Sequence, residues 1–539
     1  MNDSRSLSRK EMLLLGGMFL AALLIRLYFL RFYTVISADG VGYVRTARSI
    51  ASGNGWSGVT FYGVVYPALV ASASFLVGDT ELAGRLVSIV MGSLMVIPLY
   101  LLGLEFFTKR AGLLACMLVL VWGSLRGWSC EVMTQATYIT LLLTGIYVMW
   151  VAFRNNSPKL SFVAGLVMAL SYLTRPEALI TFVALSGALL LAALLRKNPW
   201  QRVAFLLAAG WAGFALPLIP FVFLIHNITG KWGLSGKTGY ALADALSEYL
   251  GRPDMKNEPG FQGMGLLDVI RQYPDFLWAN FRKNLVKTWE TMLPYYVWGM
   301  CFLGFISYGW DRDRLSRQIY LVSTFSPLLV IIIFFFVGPE YLQPYLPILF
   351  LWGGAGLLWL EGIVVRRAGI DKWPQAVKLI SAVPLSAVIV IVYVFSLLVV
   401  QLPANPNEPY NFNQDGGRFD QKRIGLMLKQ VLPPNSHILT RWGRISFYAE
   451  MEQVMMPQAG IAELLDTAAK NKVKYIVIDG MLAGMRPQYE VLFAPLFSGP
   501  EKVYYVEKGA GYRPLPDLRL YFLYKDPSSL GVAVYEMVN

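Results

Sequence analysis

The stretch MLLLGGMFLAALLIRLYFLRFYT, residues 12–34, is an apolar run long enough to cross the hydrocarbon core of a membrane. Basic residues precede it and no small-x-small cleavage site closes it. It is also too long for the core of a signal peptide, so it predicts an uncleaved span. The sequence SADGVGY, residues 37–43, follows it. Because a carboxylate at the membrane boundary is costly in solvation energy, we expect Asp39 to be functional.

Composition extends this interpretation to the whole chain. The chain has 539 residues, of which 56% are hydrophobic and 15% charged, and its mean hydropathy is +0.49. A soluble protein carries far more charge, so we expect a polytopic membrane protein. The net charge of +13 comes from basic residues in short loops between apolar runs, which argues against nucleic acid as a partner. Three scattered cysteines and two histidines suggest neither a disulfide framework nor a His-built metal site.

Apolar stretches predict about eleven transmembrane helices. They lie near residues 12–34, 82–106, 111–127, 133–153, 160–174, 178–195, 203–225, 288–309, 318–337, 342–363 and 378–401. The clusters of basic residues fall in loops of one parity, together with the basic N-terminus. By the positive-inside rule, the N-terminus is predicted to be cytoplasmic and the C-terminal tail external.

The composition changes after the last predicted span. The Pro-rich stretch 403–409 predicts a linker, which divides the chain into a membrane domain, 1–402, and a tail domain, 403–539. The predicted fold class is therefore an all-α polytopic membrane domain with a C-terminal, extracytoplasmic α/β domain. The tail pattern predicts helices at 423–431 and 461–470 and strands at 437–440, 473–478, 518–524 and 532–537. A further short helix, 39–51, is predicted to lie along the membrane surface.

Polar residues that the topology assigns to the external face form a short set. Besides Asp39, it includes Tyr43, Arg85, Arg175, Glu177, Arg282, Lys283, Tyr341 and Tyr345. One or two acids among several Arg, Lys and Tyr side chains suit a phosphate-bearing ligand beside a site that needs a base.

The order of these motifs resembles that of GT-C glycosyltransferases, in particular the bacterial branch related to protein O-mannosyltransferases and lipid A aminoarabinose transferases. The resemblance rests on the following residues: Asp39-Gly-Val-Gly-Tyr43 with Ala47, Gly53 and Gly55; Leu173-Thr-Arg-Pro-Glu177; Tyr341, Pro344 and Pro347; and a tail in which 428–440 precedes Phe447-Tyr448. It covers most of the chain.

The resemblance implies a polyprenyl-phosphate sugar as donor, Asp39 as the group that activates the acceptor, and basic residues and tyrosines that hold the lipid phosphate. It also implies a multi-pass protein of the bacterial cytoplasmic (inner) membrane. The chain departs from the family pattern at Gly40, where an acid is frequent, at Gln135, where Glu is common, and at Glu340, where Arg is common. The first two departures put an acidic metal site in doubt, and the third leaves open which residue holds the phosphate.

Each candidate residue also has a structural interpretation. Asp39 could cap a surface helix. Arg175 and Glu177 could be an ion pair in a tight loop, and Arg85 could pair with Glu81. The tyrosines could belong to an interfacial aromatic belt, whereas Arg282 and Lys283 could bind lipid headgroups. These alternatives remain open at the level of sequence.

The predicted function is a membrane glycosyltransferase that moves a sugar from a polyprenyl-phosphate donor to an acceptor outside the cytoplasmic membrane. The acceptor is a lipid-linked glycan, a lipopolysaccharide component or a protein, and membrane lipids are the other partners. No cofactor is required by the sequence, although it leaves room for a divalent cation. The alternative is a transporter or flippase of a lipid-linked saccharide. Because the midspan regions are almost free of charge and no inverted repeat is visible, the pattern favours the enzyme.

Overall fold

The structure is a computed structural model, and most of the chain is described by it. The described residues are 8–56, 58, 63–234, 238–252, 264–307, 310–335, 339–367, 385–400, 418–458, 460–497, 503–505, 512–526 and 529–538. The predicted linker at 403–409 and the predicted domain boundary at 402/403 lie outside these residues, as does the start of the predicted span 378–401.

The chain forms two compact units. The first, called the membrane unit below, comprises Met1–Phe32 and Gly42–Pro409, and the second, called the tail unit, comprises Tyr33–Val41 and Tyr410–Asn539. The short segment around Asp39 is therefore grouped with the tail unit, although it is distant from the tail in sequence.

Helices make up the described part of the membrane unit, and one of them, α2, begins within the tail unit. Their bounds are α1 Arg9–Leu30, α2 Ala38–Ala51, α3 Val65–Val77, α4 Thr80–Leu94, α5 Val96–Phe106, α6 Lys109–Val121, α7 Gly123–Cys130, α8 Gln135–Arg154, α9 Pro158–Tyr172, α10 Ala178–Leu195, α11 Trp200–Thr229, α12 Thr238–Tyr249, α13 Leu266–Gln272, α14 Pro274–Met292, α15 Tyr295–Ile306, α16 Arg312–Ser323, α17 Ser326–Phe335, α18 Pro339–Leu342, α19 Leu346–Arg367 and α20 Leu385–Val400, with a 3₁₀ turn at Gln343–Tyr345.

The chain is a multi-pass membrane protein, but the count of eleven spans is not confirmed. Within the described residues, seven helical stretches are long and apolar enough to cross a membrane, or up to eight if α6 and α7, which meet at 57°, form one span. The predicted spans 160–174 and 378–401 correspond to shorter apolar helices. The predicted span 288–309 is divided, because α14 ends at Met292 and Pro294 precedes α15. Conversely, the apolar helix α3 was not predicted.

Glycines allow neighbouring helices of the membrane unit to approach until their backbones touch. A Cβ atom on Gly165 of α9 would lie 1.8 Å from the carbonyl oxygen of Gly210 in α11, and one on Gly304 of α15 would lie 1.9 Å from the carbonyl oxygen of Trp352 in α19. Small residues at such crossings are typical of membrane helices, whose association depends on close van der Waals packing.

Replacing Gly165 with valine is therefore expected to destabilise the membrane unit by about 3 kcal/mol, because the new side chain must separate α9 from α11. Gly187→Val is the matched control, since Gly187 also lies within an apolar helix but has nothing within 4 Å of its added Cβ atom. Thermal unfolding in detergent, followed with a thiol-reactive dye that labels the three buried cysteines as they become exposed, measures both variants. Equal melting temperatures for the two variants would contradict the close crossing.

The tail unit contains a mixed, six-stranded sheet with helices on both faces. The strands are β1 His437–Thr440, β2 Glu452–Met455, β3 Tyr475–Asp479, β4 Val503–Tyr505, β5 Leu518–Asp526 and β6 Ser529–Met537, and the helices are α21 Phe419–Val431, α22 Gly443–Ala449, α23 Ile461–Lys470 and α24 Glu490–Phe497, with 3₁₀ turns at Gly480–Gly484 and Pro487–Tyr489. The strand order is β2-β1-β3-β6-β5-β4. Strands β2, β1 and β3 are parallel, whereas β3–β6, β6–β5 and β5–β4 are antiparallel pairs.

Alternating side chains on the buried strands create one core on each face of this sheet. Tyr475 and Val477 of β3 enter the core that contains α21 and α22, whereas Ile476 and Ile478 enter the core that contains α23 and α24. The predicted α/β fold of the tail is therefore confirmed. Strands β2 and β4, at the two edges of the sheet, were not predicted.

The carboxyl group of Asp479, at the end of β3, is 3% exposed. Its Oδ1 atom accepts a hydrogen bond from the Met481 amide at 2.9 Å. Burial nevertheless raises the pKa of Asp479 from 3.8 to about 6, because desolvation outweighs this hydrogen bond and the influence of the nearby Trp442 indole. Unfolding between pH 4 and 6 consequently releases a proton from this group.

The stability of the tail is therefore expected to fall as the pH rises from about 4 to about 6, by up to about 3 kcal/mol, and to stay level above that range. Asp479→Asn should abolish this dependence, because an amide does not ionise. Pulse proteolysis of the full chain in urea measures the stability of the tail at each pH. Comparing wild type with Asp479→Asn at the same pH cancels the pH dependence of the protease itself. Parallel profiles for the two proteins would contradict the assignment.

Candidate functional site

The loop Leu173–Glu177 connects α9 to α10 and carries two of the predicted site residues. Its course is set by backbone contacts: the Val65 amide donates to the Leu173 carbonyl oxygen at 3.3 Å, and the Arg175 amide donates to Ser171 at 2.9 Å. Gly63 lies so close that a Cβ atom there would be 2.1 Å from the Leu173 carbonyl oxygen. The start of α3 thus packs directly on the loop and holds Arg175 in place.

Arg175 and Glu177 form an ion pair at the end of these apolar helices. Nη2 of Arg175 lies 3.0 Å from Oε1 of Glu177, and the side chains are 11% and 14% exposed. Burial by itself lowers the pKa of Arg175. Glu177 and the neighbouring tyrosines raise it by more, so that the pKa lies above its ordinary value and the guanidinium stays charged. The second carboxylate oxygen, Oε2, is buried and accepts no hydrogen bond from the described residues.

Tyrosines surround the Arg175 guanidinium. Its Cζ atom lies 5.3 Å from the centre of the Tyr341 ring and 5.9 Å from that of Tyr138, distances that suit cation–π attraction. Tyr43 is close enough to influence the guanidinium electrostatically. Its hydroxyl lies 3.5 Å from Thr134 Oγ1, and its ring packs edge-on against Tyr66 at 5.3 Å.

A chain of buried hydroxyl groups adjoins this cluster and links Tyr138 to Tyr345. The Tyr345 hydroxyl lies 2.9 Å from Thr181 Oγ1 and 3.3 Å from the Tyr138 hydroxyl. Thr181 in turn donates to the Thr324 carbonyl oxygen at 3.0 Å. Tyr345 is fully buried, whereas Tyr341 is half-buried. Tyr345 therefore occupies a positioning place in this network, and Tyr341 is the more accessible of the two predicted tyrosines.

Sequence reasoning did not find Tyr138, Thr181 or Tyr66 as parts of this network. Hydroxyl-bearing residues inside apolar helices offer a weak signal, because each must find a hydrogen-bond partner when it is buried. Their partners come from different helices, so the spacing along the chain does not reveal which residues meet.

Arg85 is 5% exposed and lies in α4, where it makes the predicted pair with Glu81 at 2.6 Å. Tyr66 links this helix to Tyr43. Its hydroxyl lies 3.0 Å from the Gly84 carbonyl oxygen and 2.8 Å from Ser88 Oγ, both in α4, and its ring packs against Tyr43. The pair with Glu81 is thus present and largely shielded from solvent, so that removing either partner would leave an uncompensated charge.

Two predicted residues, Arg282 and Lys283, lie apart from the cluster. Both are exposed on α14, and Lys283 Nζ pairs with Glu248 Oε1 at 2.7 Å. Among the residues that the structure describes, no contact joins either side chain to Arg175 or its tyrosines. Their predicted role in donor binding stays a prediction.

Asp39 is half-buried and is the second residue of α2. The cap of that helix is Ser37, whose Oγ atom accepts a hydrogen bond from the Gly40 amide at 3.0 Å. Asp39 is therefore not the N-cap, and its carboxylate makes no hydrogen bond or ion pair with the described residues. Across that same part of the chain, no group of three His, Cys, Asp or Glu side chains could hold a metal ion. Whether a divalent cation takes part is still an open prediction.

The fold of this chain is similar to that of several solved membrane proteins. ArnT from Cupriavidus metallidurans, solved with bound undecaprenyl phosphate, is similar over 96% of this chain and 97% of its own, with a TM-score of 0.54 and 15% identity. The oligosaccharyltransferase of Archaeoglobus fulgidus, solved with Zn and sulfate, is similar over 86% of this chain and 68% of its own, with a TM-score of 0.51 and 13% identity. The same archaeal enzyme, AglB, solved with an inhibitory peptide and a dolichol-phosphate, gives a TM-score of 0.50 at 12% identity over 88% and 70% of the two chains.

At the level of sequence, residues 63–223 match the family described as dolichyl-phosphate-mannose-protein mannosyltransferase. No curated protein matches the chain. The resemblance to GT-C glycosyltransferases is therefore confirmed, and so is the predicted fold class of a helical membrane domain with a C-terminal α/β domain; the number of spans and the side of the membrane on which the tail lies stay predictions. The matched segment includes Arg85, Arg175 and Glu177, whereas Asp39 and Tyr341 lie outside it.

The buried pair gives a test by double substitution. Arg175→Met is expected to destabilise the protein by about 3 kcal/mol, because it leaves the Glu177 carboxylate buried without its cation. Arg175→Met combined with Glu177→Met should be closer to wild type, since both charges are then removed. Thermal unfolding in detergent measures the three proteins, and a double variant less stable than the single one would show that the pair is not coupled as described.

Proposed function

We propose that this protein is a membrane glycosyltransferase that takes a sugar from a polyprenyl-phosphate carrier and transfers it to a hydroxyl-bearing acceptor on the outer side of a bacterial cytoplasmic membrane. The observation that carries the proposal is the Arg175 cluster. Only Nη2 of this guanidinium donates a hydrogen bond to a described residue, so its other N–H groups remain for a ligand. A charged fork beside tyrosines, at the end of apolar helices, suits the phosphate of a lipid whose tail lies in the membrane.

Each group in the cluster has a chemical role in this proposal. Arg175 and Tyr341 bind the donor phosphate, and Tyr345 positions them through Tyr138 and Thr181. The free Oε2 atom of Glu177 accepts a hydrogen bond from a hydroxyl of the donor sugar. Arg85, paired with Glu81, supplies a second positive charge near Tyr66. The solved relatives support the lipid carrier, because ArnT and AglB are described with undecaprenyl phosphate and a dolichol-phosphate.

Asp39 is the proposed general base. The acceptor oxygen would attack the anomeric carbon of the donor sugar while the Asp39 carboxylate takes the hydroxyl proton. The bond between the anomeric carbon and the phosphate oxygen breaks, and the polyprenyl phosphate leaves with the bonding electrons. A single displacement of this kind inverts the configuration at the anomeric carbon. The acceptor hydroxyl belongs to a lipid-linked glycan, a lipopolysaccharide component or a protein.

Asp39→Asn should lower the rate of transfer by about 10²–10⁴-fold without lowering the melting temperature, because the amide cannot take the proton. Asp275→Asn is the matched control, since Asp275 is exposed and is the second residue of α14, just as Asp39 is of α2. The measurement is transfer of radiolabelled sugar from polyprenyl-phosphate sugars to membrane extracts by the purified full chain. Undiminished turnover by Asp39→Asn would remove the base from the mechanism.

The alternative function is movement of a lipid-linked saccharide across the membrane. The same purified protein in proteoliposomes tests it, with a fluorescent polyprenyl-phosphate sugar whose accessibility to an external quencher is followed. Transbilayer movement without any transfer to an acceptor would overturn the transferase proposal in favour of a flippase.

A further inference from the structure

The parallel half of the tail sheet contains a crevice at the carboxyl ends of its strands. The chain leaves β1 toward β2 on one side, and it leaves β3 toward the antiparallel strands on the other side. Because these two connections run in opposite directions, they separate at the ends of β1 and β3. In open α/β sheets ligands bind in such a crevice, outside the carboxyl ends of the strands.

A cavity of about 150 Å³ lies beside this point. It is lined by Ala38, Arg418, Gln421, Trp442, Gly443 and Arg444. Trp442 and Gly443 lie in the connection that follows β1, after Arg441, and Asp479 at the end of β3 has the Trp442 indole beside its carboxyl group. The segment that carries Ala38 continues into Asp39, so the crevice and the proposed base are neighbours in the chain.

The lining of the cavity is held firmly. Arg444 is 4% exposed; its Nε atom donates to the Ile36 carbonyl oxygen at 2.7 Å, and its Nη1 atom donates to Gln421 Oε1 at 3.2 Å. The Ile36 amide donates to the Tyr448 hydroxyl oxygen at 2.8 Å, and Lys422 Nζ donates to the Thr34 carbonyl oxygen at 2.6 Å. The lining is thus formed before any ligand arrives.

One polar group in this lining lacks a partner. Gln421 is 1% exposed, yet its Nε2 amide donates no hydrogen bond to any residue that the structure describes. A buried amide of this kind is costly unless a ligand or a water accepts its hydrogen bond. Asp479 Oδ2 and the Trp442 indole nitrogen are also buried without a well-formed hydrogen bond to the described residues, although they lie beside each other.

The chemistry of this lining favours a neutral, hydroxyl-rich ligand over an anion. An aromatic ring, a side-chain amide and two guanidinium groups together offer one apolar face, several donors and an amide acceptor, which suit a pyranose ring. An anion is less suitable, because two N–H groups of Arg444 are already used within the protein and the Asp479 carboxyl group lies beside Trp442.

We propose that the crevice formed by Arg418, Gln421, Trp442 and Arg444 binds a pyranose unit of the acceptor. The assignment of this sugar as the acceptor rests on the proposed transferase function, whereas the binding of a saccharide at the crevice does not. The Gln421 amide donates to a sugar hydroxyl, and the Trp442 ring packs on the apolar face of the sugar. The crevice thereby holds the acceptor next to the segment that carries Asp39.

Saturation-transfer NMR on the full chain in nanodiscs tests the site, with methyl α-glucoside, methyl α-mannoside and methyl α-galactoside as probes and no polyprenyl lipid present. At least one of them is expected to bind, and Gln421→Leu should weaken that binding by about tenfold because one buried hydrogen bond is lost. Gln430→Leu is the matched control, since Gln430 is exposed on the same helix. Trp442→Ala should weaken binding as well, and thermal unfolding verifies that each variant is folded.

Absence of binding by all three glycosides would overturn the proposal, as would equal binding by wild type and folded Gln421→Leu. Displacement of the glycoside by millimolar inorganic phosphate would also overturn it, because the site would then be an anion site. These outcomes are distinct from failure of the transferase function. The wild-type chain could bind glycosides through Gln421 and yet transfer no sugar in the radiolabel assay described above. The saccharide site would then stand, but the bound saccharide could no longer be assigned as the acceptor.

Discussion

The cost of burying charge among apolar helices governs the candidate site in the membrane unit. Arg175 is tolerated there because Glu177 lies at hydrogen-bond distance. The loop that carries both residues is fixed by close packing, since Gly63, just before α3, has no room for a side chain against the Leu173 backbone. The same constraint explains Arg85, which is buried together with Glu81. Around these pairs the tyrosines supply polar tips on largely apolar rings, so that a charged site forms without a large polar surface.

A different constraint shapes the tail unit, where the sheet decides what can meet. Strand β1 lies between β2 and β3, and the chain leaves β1 and β3 toward opposite edges of the sheet, so the crevice lies at the carboxyl end of β1. The residues after β1 are therefore the ones that can be both held by the fold and open to a ligand. Arg444 and Tyr448, on the helix that follows, bind the backbone of Ile36 and so order the chain just before Asp39.

Much of this architecture could be predicted, because long apolar runs and alternating strands are strong local signals. Strand β1 and helix α23 were predicted with the bounds that the structure gives them. The missed elements have weak patterns: β2 and β4 are short edge strands, and α3 has an apolar run too short for a span. The cluster of Tyr43, Arg175 and Tyr341 was predicted as a set of residues on one face, but its members meet through tertiary packing. No spacing in the chain encodes the link from Tyr345 to Thr181 and Tyr138.

Asp39 shows how the structure sharpens a sequence hypothesis without testing it. An Asp at the start of a helix has an ordinary explanation as an N-cap. Here Ser37 performs that role, because its hydroxyl accepts the Gly40 amide hydrogen bond. The carboxylate is thus not needed to cap the helix. The backbone before it donates one hydrogen bond to Tyr448 and accepts one each from Lys422 and Arg444. The Asp39 carboxylate has no hydrogen-bond partner among the described residues, which suits the proposed base, and its negative charge also suits the first turn of α2.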